Sequence, residues 1–321
     1  MAHILLTGAA GFIASHLADR FLSGGHRVTG IDNFTRGTRE NVATALLNPR
    51  FQLLEANLAD EQQARQAMGA AQGIEPVSEV WHMAANSDIG AGIADPRVDL
   101  RDTFLTTFQT LLVMRELGIG RIAFASSSAI YGVHDAAIHE SIGPAFPISN
   151  YGAMKLASEG LISAAVETFL ERAWIFRFPN VIGNRATHGV IYDFLHKLAK
   201  SPDALEVLGD GSQQKPYLHV SELVNAMCFI VEQSSERLNC YNVAGDDEGA
   251  TVRFIAETVI RIAAPGKAIQ YTGGSKGWVG DVPKYQYSTE KLKKLGWRPS
   301  MNSRQAIEQA VREVQHEICR Q

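Results

Sequence analysis

The chain has 321 residues, 45% of them hydrophobic, enough to bury a sizeable core as one large domain or two coupled ones. A formal net charge of -4 excludes a general basic field for nucleic acid, while leaving room for local basic spots that hold a small phosphorylated ligand. The three cysteines, Cys228, Cys240 and Cys319, lack CxxC spacing and fit reduced thiols in a cytoplasmic protein; no metal is expected. The N-terminus runs straight into a folded motif, so no signal peptide is expected, and no apolar run approaches the ~20 residues that span a membrane.

In chain order, the segments His3–Ala9, Arg27–Asn33, Phe51–Asn57, Glu79–Ala85, Arg121–Ser127 and Trp174–Asn180 are short, apolar and rich in β-branched or aromatic residues. Helical stretches lie between them at Phe12–Ser23, Asp60–Ala70, Pro96–Leu117 and Tyr151–Arg172. Asp60 reads as an N-cap and Gly118 as a C-terminal stop. Near-continuous apolar strands alternating with helices predict an α/β fold, a Rossmann-type doubly wound parallel sheet covered on both faces. After about residue 180 glycine, proline and aromatic residues cluster at Gly183–Gly189, Gly209–Tyr217 and Gly273–Asp281. That change predicts a smaller C-terminal lobe built on loops, the usual place for substrate binding.

The strand at His3–Ala9 leads into Thr7-Gly8-Ala9-Ala10-Gly11-Phe12-Ile13-Ala14, which opens a helix. Gly8 permits the tight turn, and Gly11 lets the backbone approach a pyrophosphate at the helix N-terminus, beside Phe12 and Ile13. Ala14 takes the third small position. The next strand ends at Asp32, where a carboxylate can bind the adenosine ribose hydroxyls. An acid there repels a 2′-phosphate, which favours NAD over NADP; Arg36 works against that preference. The expected division is therefore an NAD-binding domain over 1–180, with a return of the chain around 219–245, and a substrate lobe over 181–321.

Tyr151-Gly-Ala-Met-Lys155 puts a phenol and an ammonium one helical turn apart. Spacing alone means little, since Tyr287 and Lys291 repeat it in a polar stretch that reads as a solvated helix start. Position distinguishes Tyr151: it opens the helix after the strand ending in Ala125-Ser126-Ser127-Ser128-Ala129, and both emerge at the carboxyl edge of the sheet. Taking hydride from an alcohol carbon needs a base for the hydroxyl proton. A tyrosine must drop about three pKa units, roughly 4 kcal/mol, to serve near neutrality. Lys155 and a positive nicotinamide ring favour the phenolate, and Ser127 orients the same hydroxyl.

Gly8-x-x-Gly11-x-x-Ala14, Asp32-Asn33-Phe34, Ala84-Ala85-Asn86, Ser127–Gly132 and Tyr151-x-x-x-Lys155 resemble the extended short-chain dehydrogenases, the nucleotide-sugar epimerases and dehydratases. The likeness continues through Arg177-Phe178-Pro179-Asn180-Val181, Gly209-Asp210-Gly211, His219-Val220 and Gly296-Trp297, nearly the whole chain. It implies Ser127, Tyr151 and Lys155 as the catalytic set, and Asn33, Asn57, Leu58, Ala84 and Ala85 as further cofactor contacts. It implies a UDP-sugar substrate met by Asn86, Ser127, Ser128, Asn180, Arg185, Val190, Lys215, Trp278 and Asp281. His82 and Asp88 are expected in the core or behind the reacting groups, and Thr103 stands where many relatives carry an asparagine. Relatives pair two long helices across a two-fold axis, which implies a homodimer through Pro96–Leu117 and Tyr151–Arg172.

The same resemblance implies a start by oxidation at the sugar C4. Ordinary 4,6-dehydratases carry an Asp-Glu pair directly after the catalytic Ser/Thr, whereas this chain has Ser128-Ala129. Two reactions remain. The motifs alone suit a UDP-hexose or UDP-N-acetylhexosamine 4-epimerase. Overall likeness and length are nearer the dehydratases that act across C5–C6 of UDP-GlcNAc in antibiotic nucleotide-sugar biosynthesis, and the sequence ranks these slightly ahead. A non-catalytic NAD-binding regulator is the distant third reading, disfavoured because tyrosine and lysine are both kept.

Overall fold

The computed structural model describes residues 1–134, 137–200, 203–274 and 286–319. By contacts they form two compact units, the first made of 1–132, 143–177 and 227–241, the second of 133–142, 178–226 and 242–321.

The first unit is built on a seven-stranded sheet: β1 His3–Thr7, β2 Arg27–Asp32, β3 Phe51–Glu55, β4 Glu79–His82, β5 Arg121–Ser127, β6 Arg172–Phe178 and β7 Leu238–Asn242. The order across it is β7-β6-β5-β4-β1-β2-β3. The pairings β3–β2, β2–β1, β1–β4 and β4–β5 are all parallel. β1 is buried at every residue, as a strand covered on both faces must be. From β3, at one edge, the chain returns to lay β4 against the other side of β1. The reversal opens a crevice at the carboxyl ends of β1 and β4, where doubly wound sheets take ligands. One apolar cluster fills one side of the sheet, with Leu5, Ile31, Met68, Val80, Met114, Ile122, Phe124 and Ile162 at its centre.

The helices follow their sequence signals. Asp60 accepts from the Gln63 amide at 2.9 Å and caps Glu61–Ile74. Gly118, at φ 69°, closes Thr106–Leu117 in the left-handed conformation. Ser149 caps the Asn150–Thr168 helix by accepting from Gly152 at 3.1 Å. The expected helix over Pro96–Leu117 is continuous: α-helical at Pro96–Asp99, π-helical at Leu100–Leu105 and α-helical again from Thr106. Thr106 and Thr107 bond back to the Thr103 carbonyl, at 3.0 Å each, at the end of the widened turn.

The second unit has its own core, in which Leu205, Val207, Ile255, Val259, Ile307 and Val311 are fully buried. Two-stranded pieces replace a large sheet: Asn180–Ile182 runs parallel to Tyr217–His219, and Gln214–Lys215 antiparallel to Ala250–Thr251. Among the described residues no helix is long and apolar enough to cross a membrane.

Beneath β5, Glu159 takes three hydrogen bonds from the Arg177 guanidinium, the shortest 2.6 Å, and one of 2.5 Å from Ser126 Oγ. The side chains are 6% and 13% exposed. Breaking such a pair from one side leaves a buried charge. Glu159→Gln is therefore expected to lower unfolding stability by about 3 kcal/mol, read as a shifted midpoint in urea.

Candidate active site

The turn after β1 is shaped by what is missing. Gly8 has φ +64°, and a Cβ on it would stand 2.9 Å from the backbone N and Cα of Ala84. Gly11 donates to the Gly8 carbonyl at 2.9 Å and leads into the Phe12–Ser23 helix. No side chain caps that helix and no acid stands in its first turn. The N–H groups at Phe12 and Ile13 are left as the positive end of a helix with no anion of its own, the arrangement that fits a pyrophosphate.

Asp32, at the end of β2, is 7% exposed. One carboxylate oxygen accepts from the Ala10 amide at 2.9 Å and the other from Phe34 at 2.7 Å. Burial raises its pKa, and those backbone donors oppose the rise. Each oxygen keeps a lone pair for a ribose hydroxyl, so these residues fit an adenine dinucleotide. Asn33 Oδ1 turns back to Thr35 N at 3.0 Å, and Asn57 Oδ1 to Ala59 N at 3.0 Å, so both order their own loops. Leu58 is 4% exposed and its side chain belongs to the apolar core. Gly37 and Asn41 carry no motif, yet a Cβ on Gly37 would overlap Ala10, and Asn41 Nδ2 donates to the Ala10 carbonyl at 3.0 Å. Only the folded loop reveals them.

At the end of β4, Thr7 Oγ1 accepts from the amides of Met83 and Ala84 at 3.1 and 3.2 Å, which sets Ala84 and Ala85 beside the glycine turn. His82 is fully buried between Thr7 and Thr107 hydroxyls, at 2.8 and 3.1 Å. Burial, helped by the Lys155 charge, pushes its pKa down to about 3, so it is a neutral core residue. Asn86 is 4% exposed: its amide donates to Asp88 O and Asp99 Oδ1, both at 2.8 Å, and its oxygen accepts from Asp88 N. Its side chain is thereby occupied by the protein. Asp88 caps the Ile89–Ala94 helix and pairs with Arg36 at 3.3 Å.

The reacting groups meet at the end of β5. Ser127 accepts from Ala129 N at 3.1 Å, starting a short turn at Ser128–Ile130, and its hydroxyl acts to lower the Tyr151 pKa. A Cβ on Gly152 would overlap the Ala129 carbonyl, so glycine next to the tyrosine lets its helix come up against that turn. Lys155 is 2% exposed and donates to the Ala125 carbonyl at 2.6 Å, with Nζ 4.7 Å from the Phe124 ring centre and 5.9 Å from that of Tyr151. Burial brings Lys155 down to about 7, opposed by the charges of Glu159 and Asp99. Burial pushes Tyr151 up to about 12, against the Ser127 hydrogen bond and with the Asp99 charge. Desolvation penalises the charged form of each partner, which spacing alone does not reveal.

In the second unit, Asn180 lies exposed on the strand paired with Tyr217–His219, and Lys215 on the strand paired with Ala250. Arg185 sits at φ 65°, its amide donating to Glu317 at 2.9 Å, and Val190 opens the Val190–Lys200 helix. Trp278 and Asp281 lie outside the described residues.

The NAD dependent epimerase/dehydratase family model matches residues 4–244. The chain belongs to that family. It is 27% identical over 311 residues to the UDP-glucose 4-epimerase of Corynebacterium glutamicum, covering 92% of this chain and 90% of that one. A crystal structure of a UDP-galactose 4-epimerase superposes with a TM-score of 0.85 at 34% identity, covering 98% of this chain and 99% of the other. The Thermus thermophilus UDP-glucose 4-epimerase in complex with NAD gives 0.84 at 27% identity, over 97% and 98%. The chain is thus an NAD-dependent nucleotide-sugar enzyme with the Rossmann-type fold expected from its motifs.

Replacing Gly8 by alanine places a methyl group against the Ala84 backbone in a left-handed turn. NAD affinity, measured by calorimetry, is expected to fall about tenfold or more, the equivalent of ~1.4 kcal/mol.

Proposed function

We propose that this enzyme is a UDP-hexose 4-epimerase, with Tyr151 as the base, Lys155 as its charge partner and Ser127 as the hydrogen-bonding guide. The observation that carries the reading is the turn Ser128–Ile130, which starts at Ser127: its first residues, Ser128 and Ala129, bring no carboxylate. Epimerisation needs no second acid or base, whereas elimination of water does. The similarity to UDP-glucose and UDP-galactose 4-epimerases points the same way.

Gly8, Gly11, Phe12, Ile13 and Asp32 would hold the dinucleotide, which would supply positive charge and a reversible hydride acceptor. Tyr151 takes the proton of the C4 hydroxyl while Ser127 holds that oxygen in line. Lys155 stabilises the phenolate; its ammonium donates to the Ala125 carbonyl at 2.6 Å. The 4-keto sugar then turns its other face, and Tyr151 returns the proton as the alcohol re-forms. Asn180, Arg185, Val190 and Lys215 are read as the holders of the UDP part.

A second reading is the 5,6-dehydration of UDP-GlcNAc, from the overall resemblance to the dehydratase of tunicamycin biosynthesis. It requires a C5 base, and Tyr151 acting twice is the group the site offers. Its product is an exocyclic 5,6-alkene with NAD regenerated.

Incubation with UDP-glucose, UDP-galactose and UDP-GlcNAc in deuterated water, read by NMR and mass spectrometry, separates the two. The epimerase leaves mass intact, inverts C4 and takes up no solvent deuterium. Loss of water with a new alkene selects the dehydratase, and accumulated 4-keto-6-deoxy sugar defeats both. Tyr151→Phe is expected to lower kcat by about 10³-fold while NAD binding persists.

A homodimer in the cytoplasm belongs to the same proposal. Leu100 and Phe108 are 45% and 36% exposed, and Phe104 stacks on Phe108, whereas Val166 is buried within its own unit. Phe108→Glu is expected to convert a dimer to monomers in sedimentation velocity.

A further inference from the structure

We propose that Asp99 is a positioning residue for this reaction, a walled-in carboxylate that serves as counter-charge to the Tyr151–Lys155 pair. The proposal rests on the assignment of Tyr151 as base.

Asp99 has no exposed surface. Its Oδ1 accepts from Asn86 Nδ2 at 2.8 Å, and its Oδ2 meets no hydrogen-bond partner among the described residues. Its side chain makes no cap to the π-helical stretch that follows it. The space for Oδ2 exists because residue 92 is glycine: a Cβ there would overlap that oxygen. Gly92 is itself tied to the catalytic helix, its carbonyl accepting from Asn150 Nδ2 at 2.9 Å, one residue before Tyr151. The Pro96–Asp99 turn also packs on that helix. Immediately after Asp99 the backbone widens into the π-helical stretch, a distortion found mostly at functional sites.

A buried carboxylate held by one neutral amide is costly unless a cation compensates it. The charges facing Asp99 are Lys155 on the catalytic helix, Asp102 on its own helix and Asp88 after β4; Asp88 is paired with Arg36. The two acids act against its ionised form, and Lys155 supports it. In return Asp99 supports the Lys155 ammonium and works against the Tyr151 phenolate. Its negative charge therefore makes the pair's first proton harder to lose, whichever of the two gives it up. The effect is to keep Lys155 charged while the phenol stays protonated.

Asp99→Asn keeps the shape and the Asn86 neighbour and removes the charge. The acidic limb of its kcat profile is expected to move to lower pH by about half to one unit, with KM changed less than kcat. The ultraviolet titration of the Tyr151 phenolate, taken as the difference from Tyr151→Phe, should move the same way. A structural role alone would leave both curves in place. Superimposable profiles, or a limb moved to higher pH, overturn the proposal. Asp99→Ser is the variant to use if the asparagine form does not fold. Turnover in Tyr151→Phe judges the base assignment separately. An active Tyr151→Phe removes that assignment, whereas an inactive one with an unshifted Asp99→Asn profile removes only the role of Asp99.

Discussion

Lys155 carries an ammonium into a site where 2% of its surface reaches solvent, and much of the first unit is arranged around that burial. A buried cation loses its hydration and tends to neutralise instead, which is why its pKa falls to about 7. Three things oppose the fall: the Ala125 carbonyl at 2.6 Å, the Phe124 ring below Nζ, and the charges of Glu159 and Asp99. They come from three parts of the chain. Ala125 and Phe124 lie on β5, Glu159 one turn further along the same helix, and Asp99 on the turn before the π-helical stretch. The sheet order places β5 beside β4, so the lysine ends up next to the crevice where the dinucleotide belongs.

Lys155 and Tyr151 are coupled through the same low-polarity surroundings. Burial opposes ammonium and phenolate alike, lowering the one pKa and raising the other. Glu159 is held in place by Arg177 and by Ser126, the residue before the catalytic serine, so the support beneath Lys155 is fixed by hydrogen bonds from two strands. Gly152 and Gly92 contribute by absence, one admitting the Ala129 carbonyl and the other the Asp99 carboxylate.

Much of this could be read from the residues. The alternation of apolar strands and helices identified six of the seven strands of the sheet; β7 arrives late in the chain, with polar residues at Asn239 and Asn242, and has no flanking pattern to mark it. The glycine turn, Asp32 and the tyrosine–lysine spacing were legible because each depends on local backbone geometry. The π-helical widening at Leu100–Leu105 was not, since residue type and spacing there do not distinguish it from α-helix. Asn86 reads as a substrate contact from its place in the motif, and its bonds to Asp88 and Asp99 appear only once those segments are packed.

What the sequence by itself determined is the set of parts: a parallel α/β sheet, a dinucleotide turn and a serine, tyrosine and lysine for hydride chemistry. These follow from short-range rules, in which residue type and spacing dictate a turn or one face of a helix. Only the tertiary structure decided the electrostatic state of those parts. Desolvation and neighbouring charge depend on which distant segments close around a group, and no spacing along the chain records that Asp99 and Glu159 both act on the same buried lysine.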